Sequence, residues 1–187
     1  GDEVAKTILY ARTNMNIAIK DEELENVAAI KVAMKNLAEK YGCNAIAIQC
    51  WNALQDELGI MPCAANSFLN EEGIPTVCET DIHGAITALI TEAAGMGETR
   101  SFFADWTVRH PDNDNGELLQ HCGPWPLSVA KEKPTIGYPL AFDHPGAIEA
   151  EAKHGDISLV RFDGDNGEYS LLLGNAKAVD GPYTKGT

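Results

Sequence analysis

Hydrophobic and polar positions divide the chain into two halves with different periods. Over residues 21–41, Leu24, Val27, Ala28, Val32, Leu37 and Ala38 recur at helical spacing with Glu and Lys between them, which predicts a helix. Gly42 follows as its stop. The apolar run 45–48 predicts a buried strand, 51–58 a short helix, and Pro62 a helix opening that runs to residue 69 and ends near Gly73. Residues 74–78 predict a further strand, and Asp81 the N-cap of a helix through residue 94. The short apolar run 7–11 reads as a strand. Alternating strands and helices predict a parallel sheet with covering helices over residues 1–97.

After Gly95-Met96-Gly97 the helical period disappears. Residues 101–108, 118–121, 157–162 and 169–173 predict strands, separated by the turn clusters 111–116 and 163–167. The expected class is α+β: an α/β segment over 1–97 followed by an antiparallel β module over 98–187. Residues 181–187 read as loop. The segment 163–168 faintly resembles a calcium loop but lacks its spacing and distant Glu, so a hairpin turn is the expectation.

Charge narrows the partners. Fourteen Lys and Arg against twenty-eight Asp and Glu give a net charge of −14 over 187 residues, which disfavours nucleic acid and anionic membranes. No apolar run reaches the ~18 residues of a membrane span, and the first residues show no signal-peptide pattern. Cys43, Cys50, Cys63, Cys78 and Cys122 include no C-x-x-C pair, so reduced and mostly buried thiols in a cytoplasmic protein are expected.

The densest polar group is Glu79-Thr80-Asp81-Ile82-His83, directly after a predicted strand, where ligands of α/β sheets bind. Glu79 and Asp81, two apart, share a face if extended, and such a pair suits a hard divalent cation. Asp81 as a simple helix cap with Glu79 solvated is the competing reading. His121, closing a predicted strand before Cys122-Gly123-Pro124, is the second candidate. His83 faces either the Glu79 pocket or solvent. His110, His144 and His154 lie in polar loop-like stretches without an assigned role.

Five short motifs recur in order: 45–51, 59–66, 70–75, 78–85 with Cys78-Glu79-Thr80-Asp81-Ile82-His83, and 121–124. Together they resemble the C-terminal part of the L-fucose isomerase and L-arabinose isomerase superfamily, nearest its fucose isomerase-like branch. The resemblance covers about residues 43–130. It implies the end of an α/β domain followed by a β-barrel-like domain. It also implies aldose–ketose isomerisation through an ene-diol, with a divalent metal, usually manganese, holding the sugar oxygens. Asp81 and Glu79 then fall on the catalytic and metal-binding acidic motif, and His121 on a metal-binding histidine. Trp51 and His83 are the candidate substrate contacts.

Two departures stand out. The family's other catalytic carboxylate, expected near Pro62-Cys63, is absent; Glu57 is the nearest acid. The family's late metal-binding His motif is absent too. The resemblance therefore implies a piece of a longer enzyme, catalytically silent alone, whose parent takes a small sugar and forms trimers or hexamers. The alternative is a non-catalytic sugar-binding, scaffold or oligomerisation domain that keeps the fold.

Overall fold

A computed structural model describes residues 1–139 and 143–181; the loop reading of 182–187 lies outside the described residues. The fold is α+β, with helices concentrated before residue 97 and mostly antiparallel strands after it.

Helix α1 (Asp2–Asn14) occupies the segment whose run 7–11 predicted a strand. Its buried positions, Thr7 and Ala11, are four apart, while Leu9 and Tyr10 between them are exposed. A run of five residues does not distinguish the two periods by itself, and a single face of this helix is buried. Strand β1 (Asn16–Ile17) follows. Helix α2 (Asp21–Tyr41) matches its predicted bounds, and Gly42 closes it in the left-handed conformation at φ 65°. Its buried face carries Leu24, Val27, Ala28, Met34 and Ala38.

Strands β2 (Ile46–Ala47) and β3 (Thr76–Val77) pair in parallel, as the strand–helix order predicted. Helices α3 (Ala53–Leu58) and α4 (Cys63–Glu71) lie between them in sequence. α4 is buried from Cys63 through Asn70, the pattern of a helix enclosed on all sides. Burial makes the hydrogen bonds of its polar residues matter: Asn66 Nδ2 points to Cys78 Sγ at 3.4 Å while its Oδ1 has no partner among the described residues, and Asn70 and Ser67 are paired. The Asn70 amide donates to the Thr76 carbonyl and accepts from the Thr76 N–H, both at 2.9 Å, which locks α4 to β3. Ser67 Oγ donates to the Trp125 carbonyl at 2.6 Å.

Asp81 caps helix α5 (Ile82–Ala94) by accepting the Gly84 N–H at 2.8 Å. The second half supplies β4 (Asp105–Arg109) antiparallel to β5 (Glu117–Gln120). Strands β6 (Thr135–Gly137) and β7 (Ala147–Glu149) are also antiparallel, and β1 joins the edge of β6 in parallel. Neither β1, β6 nor β7 stands out in the hydrophobic pattern. β6 and β7 are three residues each, in a stretch rich in Pro and Gly. A long hairpin, β8 (Gly155–Asp165) and β9 (Glu168–Ala178), turns through Asn166 and Gly167, both at positive φ. This two-residue turn is the hairpin expected over 163–168.

The principal core joins both halves: Ala11, Leu24, Val27, Ala64 and Phe68 pack with Trp125, Ile136 and Ile148. At the junction, Met61 N–H donates to the Pro145 carbonyl at 2.7 Å and Ala64 N–H to Gly146 at 2.8 Å. A Cβ on Gly146 would lie 2.4 Å from the Met61 carbonyl oxygen, so only glycine permits this approach.

One charged group sits at the margin of the core. Lys31 of α2 is 4% exposed and is met by Glu72, which Lys35 also contacts at 2.9 Å. Burial of Glu72 favours its neutral form, but the two lysines outweigh that and hold its carboxyl below the ordinary range. Because the folded state depresses this pKa, its contribution is full at neutral pH and is lost as pH falls through the folded value. Glu72→Gln leaves Lys31 buried with a neutral partner. Because Glu72 is partly exposed, a loss of about 1–2 kcal/mol is expected in urea unfolding. The deficit should shrink as the pH is lowered below the ordinary carboxylate range and the Glu72 carboxylate becomes protonated.

Candidate metal centre

The chain leaves β3 through an unusual turn. Glu79 and Thr80 both adopt positive φ, 57° and 56°, which is uncommon for non-glycine residues and an outlier for β-branched threonine. Such conformations cost of order 1–3 kcal/mol each and persist where surrounding contacts fix them. Here the end of β2 does so: Glu79 N–H points to Cys50 Sγ at 3.4 Å, and Thr80 N–H donates to the Ile48 carbonyl at 3.0 Å.

The turn sends Glu79 and Asp81 to different neighbours. The Asp81 carboxylate caps α5 and is gripped by the Arg161 guanidinium from β8 at 2.5 and 3.2 Å. Burial opposes its ionisation, but Arg161 and the Gly84 N–H lower its pKa overall. Glu79 turns toward the second half of the chain. Its Oε1 lies 3.4 Å from Trp51 Nε1 and 3.7 Å from His121 Nε2. The shared face expected for Glu79 and Asp81 requires extended backbone, and the left-handed pair removes it.

A residue absent from the sequence expectations completes the group. Asp105, at the start of β4, places Oδ2 4.0 Å from His121 Nε2. One ligand atom each of Glu79, Asp105 and His121 lies within 4.8 Å of the others. No spacing motif marks Asp105; it joins the site because β4 pairs with β5, which leads into His121, in the register Asp105 opposite Gln120.

His121 is buried, 5% exposed, against the Phe103 ring at a centroid distance of 5.2 Å. Its Nδ1 faces Cys122 Sγ at 3.5 Å. Its Nε2 is buried without a hydrogen-bond partner among the described residues, since 3.7 Å to Glu79 is too long. Burial disfavours the imidazolium, yet Cys122, Glu79 and Asp105 outweigh it and raise the pKa to about 10. The Asp105 carboxyl moves up, through burial first, with His121 opposing and the Glu79 charge assisting.

This donor set fits a divalent cation. Two carboxylates and an imidazole suit manganese, zinc or iron. A buried, unpaired ring nitrogen costs about 1–3 kcal/mol, and the two neighbouring acids carry no lysine or arginine partner among the described ion pairs. A second acidic group, Glu151, His154 and Asp180, differs on this point. Lys131 reaches Glu151 at 3.3 Å and Asp180 at 3.5 Å, so its charge is already compensated.

The remaining sequence candidates are placed as follows. Trp51 is 45% exposed beside Glu79, at the open side of the group. His83 lies on the first turn of α5 and faces β8, with Nδ1 3.1 Å from Asp163 and its ring edge-on to Phe162. Beneath the group lie Cys50, Cys63 and Cys78, buried, and the half-buried Cys122; Cys43 is exposed, and all five are free thiols.

No helix of the described residues is long and apolar enough to cross a membrane. No family model matches the chain. The chain is 30% identical over 167 residues to a protein of Alkalicoccus urumqiensis named sulfoquinovose isomerase, a match covering 87% of this chain. It is also 30% identical over 171 residues to proteins of the same name from Priestia aryabhattai and Priestia megaterium, covering 88% of this chain. The match spans 37% of the length of each of these three relatives.

Proposed function

We propose that this chain carries the metal-holding part of an aldose–ketose isomerase whose substrate is a sulfonated aldohexose of the sulfoquinovose class. The observation that carries the reading is the convergence of Glu79 and Asp105 on the buried, unpartnered Nε2 of His121. The similarity to proteins named sulfoquinovose isomerase over most of this chain supports the reaction and the sugar class.

Glu79, Asp105 and His121 would hold a divalent ion, manganese in this proposal. Such an ion supplies Lewis acidity and a template for two adjacent sugar oxygens. The chain's own residues set the direction of approach. His121 closes the site from below, while Glu79 and Asp105 have side chains 39% and 62% exposed, so the sugar enters from the carboxylate side. Trp51 holds Glu79 and offers an aromatic surface beside it. Isomerisation moves a proton between adjacent carbons, which requires a carboxylate within hydrogen-bond reach of the sugar. Glu79 has the exposure for this step, whereas the Asp81 carboxylate is occupied by Arg161 and Gly84.

Titrating the chain with manganese should give one bound ion. Glu79→Gln, Asp105→Asn and His121→Ala should each weaken binding at least tenfold while preserving the circular-dichroism spectrum. No binding, or unchanged affinity in all three variants, would remove the metal centre. The longer protein should then convert sulfoquinovose to its ketose in a manganese-dependent assay. Conversion of L-fucose or L-arabinose instead would change the sugar, and turnover of none would favour a sugar-binding domain that keeps the fold.

Asp81→Asn separates the neighbouring acid from this role. Losing the charged cap and the Arg161 pair should lower stability by about 0.5–2 kcal/mol. Manganese affinity should stay within a few-fold of the original protein. A tenfold loss of affinity in a folded variant would return Asp81 to the ligand set.

A further inference from the structure

We propose that Cys63 and Cys122 form a redox-modification site, a dithiol that closes reversibly to a disulfide and thereby moves His121. The two residues are 59 apart in sequence, yet their sulfurs lie 3.2 Å from each other. Cys63 is the first residue of α4 and is fully buried. Cys122 follows β5 and is half-buried, which makes it the more accessible of the two thiols to a small oxidant. Close packing brings the two segments together: a Cβ on Gly123 would stand 2.7 Å from the Cys63 Cβ. Disulfide sulfurs are about 2.05 Å apart, so closure asks each segment for a movement of well under 1 Å.

Hydrogen peroxide is the oxidant in this scheme. The Cys122 sulfur attacks one peroxide oxygen, the O–O bond breaks, and a sulfenic acid forms with release of water. The Cys63 sulfur then attacks the Cys122 sulfur; the S–S bond forms, the S–O bond breaks and a second water leaves. Two electrons and two protons pass from the thiols to the peroxide. A dithiol reductant reverses the reaction by exchange.

The consequence for the neighbouring centre rests on the metal site proposed above. Cys122 Sγ lies 3.5 Å from His121 Nδ1 and sets the environment of the ring whose Nε2 faces Glu79 and Asp105. Drawing the sulfur toward α4 withdraws that partner and shifts the adjoining residue. The oxidised chain should therefore bind metal more weakly.

The test uses the full chain with Cys43→Ser, which removes the exposed thiol. After brief peroxide treatment, unfolding, alkylation and digestion, mass spectrometry should find Cys63 linked to Cys122, with Cys50 and Cys78 alkylated. Dithiothreitol should restore four free thiols. A link to Cys78 instead, or Cys122 oxidised to sulfinic acid without a link, would overturn the pair. Manganese titration of the two forms should show at least tenfold weaker binding after oxidation. Equal affinity would overturn the effect on His121. Absence of manganese binding in the reduced chain would count against the metal centre alone, because the disulfide map decides the pair without it.

Discussion

Everything else in the molecule is arranged around the complete burial of α4. A helix buried from Cys63 through Asn70 depends on outside partners for its polar side chains and its first N–H groups, and of its buried side-chain atoms only Asn66 Oδ1 goes without one among the described residues. Thr76 answers Asn70, the Trp125 carbonyl answers Ser67, and the Pro145–Gly146 backbone meets Met61 and Ala64. These partners come from residues on both sides of position 97. Removing one leaves an unsatisfied group in a dry interior, at a cost of about 1–3 kcal/mol. The same enclosure fixes where β3 ends, and so where the left-handed Glu79–Thr80 turn begins.

That turn converts two neighbouring acids into groups with separate jobs. Asp81 goes to Arg161 and the Gly84 N–H of α5, where its charge is compensated. Glu79 goes to Trp51, His121 and Asp105, where its charge is answered by no basic side chain but His121 among the described residues. Backbone strain of the kind found at Glu79 and Thr80 is sustained by over-determined surroundings, and Cys50 and Ile48 provide them. The strain is the local means by which the carboxylate is aimed.

The parts legible in the sequence were those with a strong local period or a strong local stop. α2 carried six apolar positions at helical spacing and ended at a left-handed glycine; α5 had Asp81 as a cap that the structure retains. The 163–168 hairpin followed from an Asn-Gly turn. What escaped was set by distant contacts. Residues 7–11 are helical because only one face of α1 meets the core. β6 and β7 are short and identifiable only once β1 lies beside them. Within the centre, Glu79 and His121 were visible as polar residues at strand ends, whereas Asp105 was hidden. Its side chain matters because of the β4–β5 register, and register is a property of pairing rather than of any single segment.

The centre is thus a product of long-range packing. Glu79 arrives from the β2–β3 pair and Asp105 and His121 from the β4–β5 pair, while α4 packs on β3 and meets the segment after β5 through Cys63. Cys63 marks the contact, since it opens α4 and lies against Cys122 and Gly123, one residue and two residues beyond His121. Trp51 steadies Glu79 and the His121 ring attracts both acids, but the two carboxylates stay within a few ångströms of each other only if the scaffold resists their separation. The carboxylates repel, and the buried imidazole would gain from water. The free energy that opposes both is the burial of α4 and its neighbours, about 25 cal/mol for each Å² of apolar surface removed from water. In this chain the core therefore stabilises more than the fold: it holds two mutually repelling carboxylates beside the buried ring of His121.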